Sequence, residues 1–335
     1  MNFNGKQIIQ YLFSVLLGGG LLIYIFTIID FQSLIIEMKK ADISWILLSM
    51  IVSLFAHISR ALRWNMLIAP LGYKVKAKNA VQAVLIGYFA NLALPRLGEV
   101  SRCGCINKTD KVPVSVSFGS VISERIFDLI LMLSIFLLAF LIEFERFQTM
   151  FLDLITTKAG DLGNILSGYL LVLIALFLGA GALIIVYTYK NRERLRKHKP
   201  VEKIFVFIEG LIQGLFSFTR INNKLLFLGH TLFIWFIYLL MIYFIFLSLP
   251  DAANLPFSAS IVALALGSLG MAAPVQGGIG AYHIMVSAAL LIYGVPEEKG
   301  LVIATILHTS QLVATVIFGS IALLNFIIFA GKKGN

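Results

Sequence analysis

Three short charged motifs interrupt an otherwise apolar sequence, and their residue types suit the grip of a phosphate. "PRLGEVSR" sets Arg96, Glu99 and Arg102 directly after Pro95, "SERIFDL" carries Glu124, Arg125 and Asp128, and "RALR" carries Arg60 and Arg63. A guanidinium can hold a phosphate through two parallel hydrogen bonds, and a neighbouring carboxylate can hold that guanidinium in place. On a helix Glu124 and Asp128, four apart, share one face, with Arg125 turned about 100° away. A charge near the centre of a bilayer costs at least about 2.5 kcal/mol, so such groups face protein or an aqueous cavity and pair with one another. Glu99, Arg102, Glu124, Arg125 and Asp128, with Arg96 beside the break, are therefore expected to bind an anionic lipid headgroup. Arg60 and Arg63 are expected to be structural, as clamps or as side chains snorkelling to the headgroups.

A second constellation is uncharged. "PVQGGIGAYH" runs from Pro274 to His283 and carries Gly277, Gly278 and Gly280. Glycine-rich backbone at a helix start can present N–H groups to an anion, and the same residues can serve close helix packing; both readings stand. The stretch lacks the G-K-[ST] of a phosphate loop, so no nucleotide site is expected. His57, His230 and His308 are scattered, and Cys103 and Cys105 form only C-x-C, expected to stay reduced. Neither set completes a metal site, and no cofactor is expected. No nucleophile elbow or similar catalytic motif is present, so the chain is not expected to be an enzyme.

The elements that must position these residues are membrane helices. The 335-residue chain is 59% hydrophobic and 13% charged, with a mean hydropathy of +0.92. The net charge of +10 comes from Lys and Arg in short connections between apolar runs. The positive-inside rule and anionic lipid account for that pattern better than nucleic acid, which is not expected as a partner. Apolar runs long enough to cross lie at about 7–29, 43–59, 162–189, 225–250 and 300–331, with a sixth at about 121–142 carrying its charges in the first two turns. The first run is too long for a signal peptide and is expected to be retained. Regions 79–102 and 252–296 hold shorter apolar pieces interrupted by proline and glycine.

Loop charges give the sides. The connection 190–224 has nine Lys or Arg, the lysines at 74, 76 and 78 have no acidic neighbour, and the chain ends "GKKGN". These face the cytoplasm, as do both termini. The connections 30–43, 143–167 and 249–256 face outward. Each interrupted region must then start and finish on one side, the first opening from the cytoplasm and the second from outside. Residues 1–150, with a hairpin at about 79–110, and 151–335, with a hairpin at about 252–296, thus read as two repeats of opposite orientation. Each holds three full spans and one broken or re-entrant hairpin, and the substrate site is expected between the breaks. The expected fold class is an all-α polytopic membrane protein with inverted repeats. Pro95 and Pro274 are the expected breaks, with Gly98 permitting the turn after Pro95. The 190–224 connection is expected to include a helix lying on the cytoplasmic leaflet.

The stretches "RALRWNMLIAPLG", "GYFANLALPRLGEVSR", "SERIFDL" and "PVQGGIGAYH" together resemble the flippase-like family named for the membrane region of lysylphosphatidylglycerol synthases. The resemblance runs in order over nearly the whole chain. It implies a multi-pass inner-membrane protein that moves a phospholipid between leaflets. It also implies functional positions at Arg63, Asn91, Pro95, Arg96, Gly98, Glu99, Arg102, Glu124, Arg125, Asp128, Pro274, Gly277, Gly278 and Gly280. The sequence ends four residues after its last apolar run, without the soluble domain that makes the aminoacylated lipid in those synthases, so lysyl transfer is not expected. The expected function is translocation of a phosphate-bearing lipid. The alternatives are a membrane subunit that presents a lipid or polyprenyl-phosphate to a separate transferase, and an intramembrane enzyme using Glu99 or Glu124. Arg102→Ala or Glu124→Ala is expected to abolish translocation without unfolding the protein. The headgroup, the coupling ion and the oligomeric state are left open by these residues.

Overall fold

The computed structural model describes residues 35, 38–94, 96–148, 202, 206–207, 209–210, 212–214, 216–273 and 275–331. The expected spans at 7–29 and 162–189 lie outside them, as do Pro95, Pro274 and most of the 190–224 connection. By packing, the chain forms two units, one of Met1–Ile142 with Leu211–Asn335 and one of Glu143–Gly210. The second is described only in short helical pieces, where Arg146 pairs with Glu143 at 3.0 Å. The first carries every helix discussed below.

Helix α1 (Ile43–Ile68) starts where the Asp42 side chain accepts a hydrogen bond from the Ser44 N–H at 2.9 Å, satisfying one of the donors a helix start leaves open. Its buried positions include Ser49, Ser53, Ala56, Arg60, Arg63 and Leu67, a stripe at three- and four-residue spacing. The small residues in that stripe let α5 (Lys224–Ser248) lie close and antiparallel. Ser49 Oγ donates to the Met241 carbonyl at 3.0 Å near one end, and Ser59 Oγ meets His230 Nδ1 at 2.8 Å near the other.

Two shorter pairs of helices follow. The first pair is α2 (Ala77–Ala93) and α3 (Leu97–Asp110); at 1.5 Å per residue they are about 25 and 21 Å long, short of the ~30 Å of hydrocarbon. They form an antiparallel hairpin. At its mouth Asn79 Nδ2 donates to both Asp110 carboxylate oxygens at 3.0 and 2.9 Å. At its tip the Gly98 N–H donates to Asn91 Oδ1 at 2.7 Å. The turn between the arms is made by Arg96, held in the left-handed region at φ 63°, an uncommon conformation for a residue with a Cβ. Gly98, expected to permit that turn, instead lies in the first turn of α3. Its hydrogen allows close approach: a Cβ there would strike the Gly87 carbonyl oxygen and the Asn91 side chain.

Because the first of those obstacles is backbone, Gly98→Ala must spread the arms. The expected cost is roughly 1–3 kcal/mol, as for overpacking elsewhere, read as a lower thermal midpoint of the purified protein. An unchanged midpoint would show that the arms separate freely.

The second pair is α6 (Phe257–Ala272) and α7 (Ala281–Leu291). These too are antiparallel, with Gly267 against Tyr282 and Val286, and Gly270 against Tyr282 and Ala281. A 3-10 turn, Gln276–Gly278, joins them, and Gly277, Gly278 and Gly280 have φ of 61°, 74° and 85°. This backbone path suits glycine alone without strain.

Each hairpin leads into a long helix, α4 (Val114–Ile142) after the first and α8 (Glu297–Gly331) after the second. Among the described residues, four helical stretches are long and apolar enough to cross a membrane: Ile43–Leu71, Val114–Ile142, Lys224–Ser248 and Glu297–Ile328. The first hairpin follows the C-terminal end of α1. The second follows the C-terminal end of α5, where the Asp42 N–H donates to the Ser248 carbonyl at 2.8 Å beside the start of α1. The two hairpins therefore open at opposite ends of the α1–α5 pair. The long helices cross over: α4 packs on α6, the first arm of the other hairpin, and α8 packs on α2. Gln276–Gly278 also packs on α2, so the second break lies against the first hairpin.

One element departs from expectation. Helix α4 begins at Val114, seven residues before the expected start, directly after Pro113, whose carbonyl accepts from the Ser117 N–H at 3.0 Å. Glu124 is thus ten residues into the helix, about 15 Å along its axis, and not in its opening turns.

Candidate functional site

The spacing of the charges on α1 matches the spacing on α4. Arg60 and Arg63 are one turn apart, as are Glu124 and Asp128, and the helices set the pairs face to face. Arg60 Nη1 donates to Glu124 Oε1 at 2.7 Å and to Asp128 Oδ2 at 2.6 Å. Arg63 Nη2 donates to Asp128 Oδ1 at 2.7 Å and to Glu124 Oε1 at 3.2 Å. From the first hairpin, Arg102 Nη2 donates to the other Glu124 oxygen at 2.8 Å. All five residues are buried, with Arg63 and Glu124 fully so.

The rest of the cluster fixes these side chains. Arg63 Nη1 reaches Thr231 Oγ1 at 3.1 Å and Arg60 Nη2 reaches the Tyr238 hydroxyl at 3.2 Å, both on α5. The Arg102 guanidinium lies over the Trp64 ring, 4.7 Å from its centroid, and the Trp64 indole donates to Ser120 Oγ at 2.9 Å. Helices α1, α3, α4 and α5 thus converge on one buried ionic core. Arg60 and Arg63 act as the clamps that the sequence allowed. They do not snorkel, because two carboxylates within one turn of helix offer them four hydrogen bonds inside the protein.

The charges in this core do not balance. Three guanidiniums against two carboxylates leave one positive charge, and the Nε atoms of Arg60, Arg63 and Arg102 are buried without a hydrogen-bond partner among the described residues. Buried cations are costly unless paired. Next to the core, a cleft is lined by Gly87, Tyr88, Asn91, Glu99, Arg102 and Arg125. At about 10 Å³ its free interior holds about one water. Across its outer side Arg125 Nη2 donates to Glu99 Oε1 at 2.8 Å, with 46% and 19% of the two side chains exposed. The second Glu99 oxygen is buried and has no hydrogen-bond partner among the described residues. Arg102 is the one residue shared by cleft and core.

Of the residues expected to bind a headgroup, Glu99, Arg102, Glu124, Arg125 and Asp128 come together. Arg96 stands apart, exposed at the hairpin tip, because its left-handed backbone is itself the turn. Gly277, Gly278 and Gly280 belong to the other break. The residues that the reading of motifs underweighted are Arg60, Trp64, Tyr88 and Tyr238. Only Arg60 carried a signal, its one-turn spacing from Arg63, which mirrors that of Glu124 and Asp128. Among the described residues no group of three or more His, Cys, Asp or Glu is placed to hold a metal ion.

The family described as "Lysylphosphatidylglycerol synthase TM region" matches residues 11–319. The chain belongs to that family. Its relatives include a UPF0104 membrane protein of Pyrococcus horikoshii, 26% identical over 280 residues that make up 80% of this chain and 82% of that protein. A UPF0104 membrane protein of Methanothermobacter thermautotrophicus is 25% identical over 265 residues, 76% of this chain and 75% of its own. A shorter match, 30% identical over 87 residues and a quarter of each chain, is to a UPF0104 membrane protein of Methanocaldococcus jannaschii. No solved structure matches significantly. With four membrane-crossing apolar helices among its described residues, this member of the family is a multi-pass membrane protein.

Proposed function

We propose that the protein is a lipid translocase that passes the phosphate-bearing headgroup of a membrane lipid between leaflets while the acyl tails stay in the bilayer. The observation that carries this is the single unbalanced positive charge of the buried core, presented to the cleft by Arg102. A phosphodiester headgroup carries one negative charge, so its arrival would neutralise the core. Arg102 and Arg125 line the same cleft and supply donors for the phosphate oxygens. Glu99 holds Arg125 in the absence of substrate, and a phosphate oxygen takes its place.

The two hairpins, opening at opposite ends of the α1–α5 pair, support an inverted-repeat architecture in which each break faces one side of the membrane. So does the reciprocal packing of α4 on α6 and α8 on α2. Broken helices at mid-membrane are the place where such architectures hold substrate. The first hairpin and both termini face the cytoplasm in this reading, consistent with the basic connections, and in a bacterial or archaeal cell the membrane is the inner or cell membrane. Translocation makes and breaks no covalent bond, so no residue here is assigned a catalytic role.

Purified protein in liposomes carrying fluorescently labelled phosphatidylglycerol, phosphatidylethanolamine or a polyprenyl-phosphate tests the reading. Dithionite, which bleaches only the outer leaflet, should remove close to all of the label of at least one of these lipids, against about half in protein-free vesicles. If every label stays in its leaflet, the protein is not a translocase for these headgroups, and presentation of a lipid to a separate transferase becomes the better account.

A further inference from the structure

The second hairpin poses a problem that the first does not. Between Phe257 and Leu291 there is no lysine or arginine, so an anionic headgroup leaving Arg102 and Arg125 meets no fixed positive charge there. Two buried imidazoles lie beside the break instead. His283, in the first turn of α7, and His308, on α8, have ring centroids 5.0 Å apart and are 5% exposed each. Their surroundings make them unequal. The Gly280 N–H donates to His283 Nδ1 at 3.3 Å, an arrangement that fits the tautomer with its proton on Nε2. His308 lies against the Gly277 backbone, and its Nε2 is buried without a partner among the described residues.

We infer that His283 and His308 form a proton-binding site, with His308 Nε2 the acceptor, and that the bound proton accompanies the anionic headgroup past the second break. The chemistry is a simple protonation: a proton from the water on one side joins the Nε2 lone pair, giving an imidazolium, and leaves to the water on the other. This inference rests on the translocase reading and names its coupling ion.

The groups that face the pair do not supply the charge themselves. From α7 the titratable neighbour is Tyr282, its ring 5.0 Å from His308. Helix α6, packed on α7, carries no titratable side chain. From α1 the neighbour nearest along α8 is Ser49, which accepts from Gln311 Nε2 at 3.1 Å. Helix α2 meets α8 through Phe89 and Gly319, three turns further on. The ionisable groups of α1 and α2 near the first break, Arg60, His57 and Tyr88, are engaged there, Arg60 with the carboxylates and His57 against the Tyr88 ring at 4.4 Å. Helix α5 offers Lys224 at its first position, His230, bonded to Ser59, Tyr238, bonded to Arg60, and Tyr243, whose ring lies 5.1 Å from that of Phe257. An imidazole pair beside an apolar, charge-free hairpin is where a mobile proton can supply what the sequence omits.

Proteoliposomes containing labelled phosphatidylglycerol and an entrapped pH dye, with the membrane potential clamped at zero by potassium and valinomycin, test this. One proton per monoanionic lipid makes transport electroneutral, so a one-unit pH gradient should drive the wild-type protein to about a tenfold leaflet asymmetry of label. The sign should reverse with the gradient, and the dye should report proton movement with the lipid. His308→Gln should abolish both the asymmetry and the proton signal, and His283→Gln should weaken them, in protein that still elutes as a single folded species. Wild-type lipid movement that ignores the gradient and carries no proton would overturn the proton site and leave translocation standing. No lipid movement at all would overturn both. The wild-type arm decides even if neither variant folds.

Discussion

Replacing Arg102 by methionine is expected to slow lipid translocation at least about tenfold and to leave the protein folded. The charge count of the core is the reason. Without Arg102 the core keeps two guanidiniums and two carboxylates, all four still joined by the Arg60 and Arg63 hydrogen bonds, so the buried ions are balanced and α1 stays fastened to α4. Methionine also keeps an apolar contact with the Trp64 ring that Arg102 now covers. What disappears is the positive charge at the cleft. A hydrogen bond to a charged group contributes about 1.5–3 kcal/mol, which corresponds to roughly a tenfold to more than a hundredfold slower exchange. Liposome exchange and a thermal melt on the same preparation check both halves of the prediction. A variant that melts like wild type and exchanges lipid at the wild-type rate removes Arg102 from the site.

Glu124→Ala has the opposite signature. The sequence motifs alone place Glu124 beside Arg102 as an equal candidate for loss of activity without unfolding, but the structure shows Glu124 accepting from Arg60, Arg63 and Arg102 together. Its removal leaves three buried guanidiniums facing Asp128 alone. Breaking a buried pair from one side typically costs about 3–5 kcal/mol, because the remaining charge is uncompensated. Such a loss is a large part of the stability of an ordinary domain. The expected result is a sharply lower thermal midpoint or aggregation on purification. Adding Arg102→Met to Glu124→Ala should recover part of the loss by removing one of the stranded charges. If Glu124→Ala melts with the wild type, the core contributes nothing to stability and its excess charge is solvated by water.

Much of this arrangement was legible in the residues, and what was not has a common cause. Glu124 and Asp128 declare a shared helix face by spacing alone, and loop charges require each interrupted region to turn back. Both follow from helix periodicity and the cost of charge in lipid, which act locally. The partnership of Arg60 and Arg63 with α4 spans more than sixty residues and depends on which helices touch, so their position at the end of an apolar run leaves clamping and snorkelling both open. The start of α4 was misplaced because "VSVSFGS" is rich in serine; Ser117 and Ser120 are buried, and each returns its hydroxyl to a helix carbonyl. Gly98 looked like a turn residue because it follows Pro95 closely. Only the contact with Gly87 across the hairpin shows that its small size is what matters.

The reciprocal packing of α4 on α6 and of α8 on α2 has a mechanical consequence. Each half of the chain wraps one arm around the other half's hairpin, as two clasped hands do, so the halves cannot rock apart as separate blocks without undoing both clasps. On the translocase reading, the clasped helices would then serve as one frame. On that same reading, the parts left to move are the short hairpin tips, where the chain turns at Arg96 and at Gly277 to Gly280, and a lipid's path would be opened by the displacement of a few residues at a time.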